Sequence, residues 1–113
     1  MSNYRTIEVE RFSEMFGALS NPNRLIIFLR LINCCGLEKP CSTDAGMGAC
    51  VGELSDGLGI APSTVSHHLK ELRRTGLISM SRQGRTVECT INVKTLEGLL
   101  SLFDAQQQQI IQL

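Results

Sequence analysis

The residues best equipped for chemistry in this chain are cysteines. Four of the five fall in one stretch, NCCGLEKPCSTDAGMGAC, between positions 33 and 50: Cys34, Cys35, Cys41 and Cys50. Thiolates at that density suit three chemistries: ligation of a soft ion, disulfide exchange, or a structural zinc site. Structural zinc favours C-x-x-C pairs, and the spacing here, C-C-x5-C-x8-C, has none. Four cysteines allow three pairings, so a thiol redox switch stays open. The adjacent Cys34 and Cys35 can chelate a single soft centre. Met47 lies in the same stretch, but a loop methionine more often packs than ligates. Cys89 alternates with Val87 and Ile91. It is expected under a hairpin as a small core hydrophobe, outside the thiol site.

The remaining composition limits what that stretch can serve. At 113 residues, 1–113 reads as a single domain, with 34–50 a cysteine-rich loop inside it. Hydrophobic residues make up 42%, and no run reaches the ~18 apolar residues of a membrane span. No signal peptide is read at the start, so a reducing cytoplasm is expected, where clustered cysteines act as ligands or reactive thiols. Eleven basic and eleven acidic residues balance, which argues against a uniformly basic polyanion binder. The balance is not local: 62–85 holds Lys70, Arg73, Arg74, Arg82 and Arg85 against Glu71 alone. One cationic face in a neutral chain suits a polyanion.

The elements that must carry these residues follow from periodicity. Ile7, Val9, Phe12, Met15, Phe16 and Leu19 predict a first helix over 7–19. Asn21 is placed to cap a second helix with Pro22 at its first position, apolar through Leu25, Ile26, Phe28, Leu29 and Ile32. Gly36, Pro40, Gly46 and Gly48 mark the cysteine stretch as mostly loop. A short helix is expected over 50–58, with Val51, Leu54 and Leu58 inward. Another follows over 62–75, opened by Pro62, striped by Val65, Leu69 and Leu72, and closed by Gly76. The period then becomes two, over 78–82 and 87–91, around Gln83-Gly84-Arg85-Thr86: a β-hairpin. Leu96, Leu99, Leu100, Phe103, Ile110 and Ile111 mark a terminal helix. The class is mainly α with a β-hairpin wing, about five helices and two strands.

Short helix, turn, helix and hairpin in that order form a unit that reads DNA with its second helix. The outer face of 62–75 carries Ser63, Thr64, Ser66, His67, Lys70 and Arg74. Hydroxyls approach phosphates and base edges closely, and cations neutralise phosphates. At the hairpin, Arg82, Gln83 and Arg85 are candidates for backbone or minor-groove contact. His68 lies beside the buried stripe and reads as a packing residue. No nucleophile–base constellation is present, so the chain is not read as an enzyme. Apolar stripes on the first and last helices exceed the needs of one small core, which favours isologous pairing.

The run LGIAPSTVSHHLKELRRTGLISMSRQGRTVECTIN (58–92) resembles the winged-helix core of the ArsR/SmtB metal(loid)-responsive repressors. ALSNPNRLIIFLRL (18–31) resembles that family's second-helix signature. The resemblance spans roughly 8–105 and implies a homodimer, a palindromic operator, and release of DNA when an inducer binds. In arsenic-, cadmium- and lead-responsive members the short helix begins Cys-Val-Cys-Asp-Leu. Here the run is Cys50-Val51-Gly52-Glu53-Leu54, with Gly52 at the second thiol. The zinc-type site of the last helix needs Asp and His; this helix offers Asp104 and no His. Only Cys50 carries over. The longer connector is therefore expected to supply Cys34, Cys35 and Cys41 as partners to Cys50, three of the four being enough for arsenite or antimonite. Cadmium, lead or mercury, and thiol redox sensing, are the alternatives. Cys50 at a helix start would ionise readily.

Overall fold

The computed structural model describes the backbone of residues 6–35, 41–43, 54–84 and 86–111. Helix α1 is Thr6–Leu19 and α2 is Pro22–Cys35. A strand, β1, is Cys41–Thr43. Helix α3 is Pro62–Arg74, strands β2 and β3 are Ile78–Gln83 and Thr86–Ile91, and α4 is Val93–Ile111. Between β1 and α3, Leu54 and Ser55 are helical and a turn runs on through Leu58. Residues 50–53, where the rest of the expected short helix would lie, are outside the described residues.

Local chemistry explains the boundaries. The side-chain oxygen of Asn21 accepts the Arg24 backbone N–H at 3.0 Å, the N-cap expected before Pro22. The end of α3 is a Schellman motif: Leu77 N–H donates to Leu72 carbonyl and Gly76 N–H to Arg73 carbonyl, both at 3.0 Å. Gly76 sits at φ +83°, where a Cβ is penalised. The buried Thr75 hydroxyl donates back to the Leu72 and Glu71 carbonyls. Gly84, at φ +65°, turns the hairpin between β2 and β3.

The sheet corrects one expectation. It has three strands in the order β1-β3-β2, not two. The connector, expected to be mostly loop, contributes the short strand Cys41–Thr43, paired antiparallel with β3. An edge of β3 offers unpaired ladder groups, and a short Cys-Ser-Thr segment satisfies them. Such pairing is a tertiary event that local punctuation by Gly and Pro does not reveal.

The core gathers Met15 and Ala18 of α1, Ile27, Phe28 and Leu31 of α2, Leu54, the Val65, Leu69 and Leu72 stripe of α3, Leu77, Ile78, Cys89, Ile91, and Leu99 of α4. In α2 the buried face is therefore Ile27, Phe28 and Leu31. Leu25, Ile26 and Leu29, among the apolar residues that predict the helix, are exposed. An almost continuously apolar helix gives periodicity no polar face to choose against. Cys89 is 2% exposed, in the core position expected of it. Among the described residues no helix is long and apolar enough to cross a membrane.

Candidate nucleic-acid interface and thiol cluster

Helix α3 is two-faced. Val65, His68, Leu69 and Leu72 are buried, while Ser63, Thr64, His67, Lys70 and Arg74 are exposed and Ser66 is half-buried. The expected polar face is thus presented to solvent as one surface. The helix opens at Ala61 with no side-chain cap, and Pro62 occupies its first turn. Arg82 on β2 is exposed, its Nε donating to the Gly84 carbonyl at 3.3 Å. The Gln83 side chain and Arg85 lie outside the described residues.

One candidate cation is already engaged. Arg74 Nε and Nη2 both donate to Glu71 Oε2, at 3.2 and 3.1 Å. That hydrogen bond lowers the Glu71 pKa and raises that of Arg74. A phosphate approaching Arg74 therefore competes with a carboxylate one turn away. No ion pair of this kind is formed by Lys70 among the described residues.

Sequence reasoning did not single out two arginines that hold this unit from behind. Arg24 of α2 donates from Nε to His68 Nδ1 at 3.2 Å and from Nη1 to the Ala18 carbonyl at 3.1 Å. Arg30, further along α2, donates from Nη1 to the Leu54 and Asp56 carbonyls, at 3.0 and 2.7 Å. Helix α2 thus grips both halves of the helix-turn-helix: Arg24 holds α3, and Arg30 holds the turn before it. Their one signal in the sequence is a charge inside an otherwise apolar helix. His68 is buried as expected, and its pKa is lowered by burial first, then by Arg24 and His67.

The thiol candidates divide. Cys34 and Cys35 are the last two residues of α2, and Cys41 opens β1, which runs alongside α2. Their side chains, and Cys50 altogether, lie outside the described residues. The register sets Cys41 opposite Cys89, and Cys89 in turn opposite Met80 of β2.

A helix-turn-helix followed by a hairpin wing is a nucleic-acid-reading architecture. Comparison with known proteins agrees. Residues 48–80 match the model of the arsR family of bacterial regulatory proteins. A 52-residue stretch, 46% of this chain, is 36% identical to the transcriptional activator HlyU of Vibrio cholerae. The chain spans about half the length of that curated relative, 48%. The crystal structure of an ArsR family transcriptional regulator is 25% identical with a TM-score of 0.66, over 99% of this chain and 97% of that one. The structure of HlyU from Vibrio cholerae N16961 is 26% identical with a TM-score of 0.59, over 90% and 97%. A homodimeric winged helix-turn-helix DNA-binding domain from Mycobacterium bovis, 19% identical, shares the fold with a TM-score of 0.61, over 98% and 91%. Over its helix-turn-helix the chain is similar to the arsR family of bacterial regulatory proteins, and it shares the fold of winged-helix regulators. The proteins it resembles in sequence and in fold are transcription regulators.

Proposed function

We propose that this protein is a homodimeric transcription regulator that binds a palindromic operator and lets go when thiophilic chemistry occurs at its connector. The observation that carries the reading is the two-faced α3: an apolar edge locked into the core, and an outer edge of hydroxyls, His67, Lys70 and Arg74 beside an exposed wing Arg82. In a dimer, two such helices would enter successive major grooves about 34 Å apart. Ser63, Thr64, Ser66, His67, Lys70 and Arg74 meet bases and phosphates. Arg82, Gln83 and Arg85 of the wing meet the backbone or minor groove.

Pairing through α1 and α4 is supported by the apolar surface there. Val9, Phe16, Leu100, Phe103 and Ile110 are exposed, and the Phe16 and Phe103 rings stand 5.6 Å apart. A groove of about 450 Å³ between the helices is lined mainly by Val9, Phe12, Phe16, Leu102 and Phe103.

The inducer reading assigns arsenite or antimonite to thiolates drawn from Cys34, Cys35, Cys41 and Cys50, three of which complete a pyramidal site. Another soft ion such as cadmium, lead or mercury would use the same donors. Support comes from α2, which carries Cys34 and Cys35 at its end, runs beside β1, and grips the helix-turn-helix through Arg24 and Arg30. A ligand pulling on that end would act on the grip. A coupling of ~1–3 kcal/mol suffices for allosteric release. The setting is a reducing cytoplasm.

The test is a mobility-shift titration of the protein on palindromic promoter DNA, with and without arsenite. Binding that arsenite abolishes, and that a Cys50→Ser variant retains in arsenite, supports the reading. DNA binding indifferent to every thiophilic ion removes the inducer half; no binding to any promoter DNA removes the whole. Because HlyU is named an activator, a promoter–reporter assay fixes the direction of control, repression being expected.

A further inference from the structure

The sheet brings together two cysteines far apart in the chain. Cys41 of β1 and Cys89 of β3 are Cα partners in an antiparallel pair. Directly opposed residues of such a pair share a face, with Cα atoms about 4.5–5.5 Å apart. That separation lies within the ~4.4–6.8 Å that a disulfide bridges. Cys89 is a core residue, 2% exposed. Its burial in the core shields the thiol from dissolved oxidants.

We propose that Cys41 and Cys89 form a reversible dithiol–disulfide pair, oxidised by hydroperoxides, that staples the connector strand to the wing. Cys41 takes the first step, because Cys89 is shielded. Its thiolate sulfur attacks the terminal oxygen of a hydroperoxide ROOH. The O–O bond breaks, the leaving alkoxide takes up a proton as ROH, and Cys41 becomes a sulfenic acid. The Cys89 sulfur then gives up its proton and attacks the Cys41 sulfur. The S–S bond forms, the S–O bond breaks, and water leaves. Two thiols and one hydroperoxide thus yield one disulfide, one alcohol and one water. Two equivalents of a small thiol reverse the reaction through a mixed disulfide, themselves ending as a disulfide.

The staple would act where the structure is divided. β1 lies between α2 and the helix-turn-helix in sequence, and β3 is the inner strand of the wing. Joining them fixes the wing against the connector. Cys34, Cys35 and Cys50 remain for a three-sulfur site, so the pair extends the regulator reading. It rests on that reading only for its effect on DNA; the bond itself does not.

The experiment treats reduced, purified full-length protein with hydrogen peroxide, blocks remaining thiols with iodoacetamide, and maps fragments without reduction. Cleavage after Glu38 and before Asp44 isolates Cys41 from the other three connector cysteines, and cleavage after Glu88 releases a fragment beginning with Cys89. The expected result is these two fragments joined by a bond that dithiothreitol breaks. In Cys41→Ser protein the join is absent, a control that leaves the core residue Cys89 in place; Cys89→Ala is the converse. Promoter DNA affinity should change at least tenfold on oxidation, return with dithiothreitol, and be insensitive to peroxide in Cys41→Ser. Cys41 linked instead to Cys34, Cys35 or Cys50, or left alkylated, overturns the pair. A formed link with unchanged DNA affinity overturns the switch while keeping the bond. Failure of reduced protein to bind any promoter DNA overturns the regulator reading instead, and the fragment map still decides the pair.

Discussion

Arg24 of α2 donates its Nε–H to His68 Nδ1 across 3.2 Å, tying the second helix to the buried side of the reading helix. The bond needs a bare Nδ1, so His68 is neutral with its proton on Nε2. Protonation at Nδ1 would set two donors against each other beside a guanidinium. That geometry and the burial of His68 both favour the neutral ring, and its pKa falls below 6.5.

Stability should therefore depend on pH in a stated direction. In the unfolded chain His68 protonates near its ordinary value of 6.5; in the folded chain it does so only at lower pH. The contribution of the neutral ring is complete above 6.5 and is lost as pH falls from there through the depressed folded value. Urea midpoints measured from pH 7.5 to 5 should decline more in wild type than in His68→Gln. Equal slopes in the two proteins would show that His68 does not drive the dependence.

Removing the donor tests the same tie from the other side. Arg24→Met keeps the stem of the side chain but leaves a buried imidazole nitrogen without this partner. The cost of an unsatisfied buried acceptor is about 1–3 kcal/mol. Chemical denaturation reads that loss, and DNA affinity should fall with it, because α3 is no longer held from behind. A variant as stable as wild type would place the anchoring of α3 elsewhere.

What the sequence disclosed and what it hid have physical causes. α3 was legible because Val65, Leu69 and Leu72 repeat on a helix whose other positions are polar, between Pro62 and Gly76. The hairpin was legible because its period changes from helical to alternating around Gly84. In α2 the inward choice of Ile27 and Leu31 over Leu25 and Leu29 was not, since both faces are apolar. Strand β1 exists through its pairing with β3 and has no local signal. The register of Cys41 with Cys89 is hidden for the same reason, although Cys89 itself was legible as core. Arg24 and His68 meet only because α2 and α3 pack, so the reading of His68 as a packing residue was right in place but silent on its partner.

The left-handed turn after α3 gives a clean backbone measurement. Gly76 has φ +83° and nothing within 4 Å of an added Cβ. Gly76→Ala therefore suffers only the conformational penalty, about 1–2 kcal/mol. Gly76→Asn should recover part of it, because asparagine tolerates this region better. Thermal or urea unfolding of the two variants orders them; an alanine variant equal to wild type would contradict the assigned turn.

The Glu71–Arg74 pair makes the cationic face self-limiting. Lys70→Ala should weaken promoter binding and reduce the slope of log affinity against log salt by ~0.9, one lost phosphate neutralisation. Arg74→Ala should do less, since its guanidinium is already shared with Glu71. Glu71→Gln frees that guanidinium and should raise affinity most at low salt, where phosphate contacts count most. Fluorescence anisotropy across a salt series separates the three variants. Glu71→Gln binding more weakly than wild type would mean that the carboxylate positions Arg74 for DNA instead of competing with it.

The exposed apolar surface of α4 offers a test of pairing that spares the core. Leu100 and Ile110 are 63% and 67% exposed, and neither belongs to the buried cluster. Each apolar side chain removed from water contributes roughly 1.5–3 kcal/mol, so several together can hold a small dimer. Leu100→Glu with Ile110→Glu replaces that gain with two like charges that would have to be desolvated at a symmetric interface. Helical content by circular dichroism should stay unchanged, while sedimentation shifts from dimer to monomer at micromolar concentration. DNA affinity should then fall by orders of magnitude, since a monomer engages only one half of a palindrome. If the double variant still sediments as a dimer, the pairing surface lies elsewhere, and the exposed Leu25, Ile26 and Leu29 of α2 become the next face to charge.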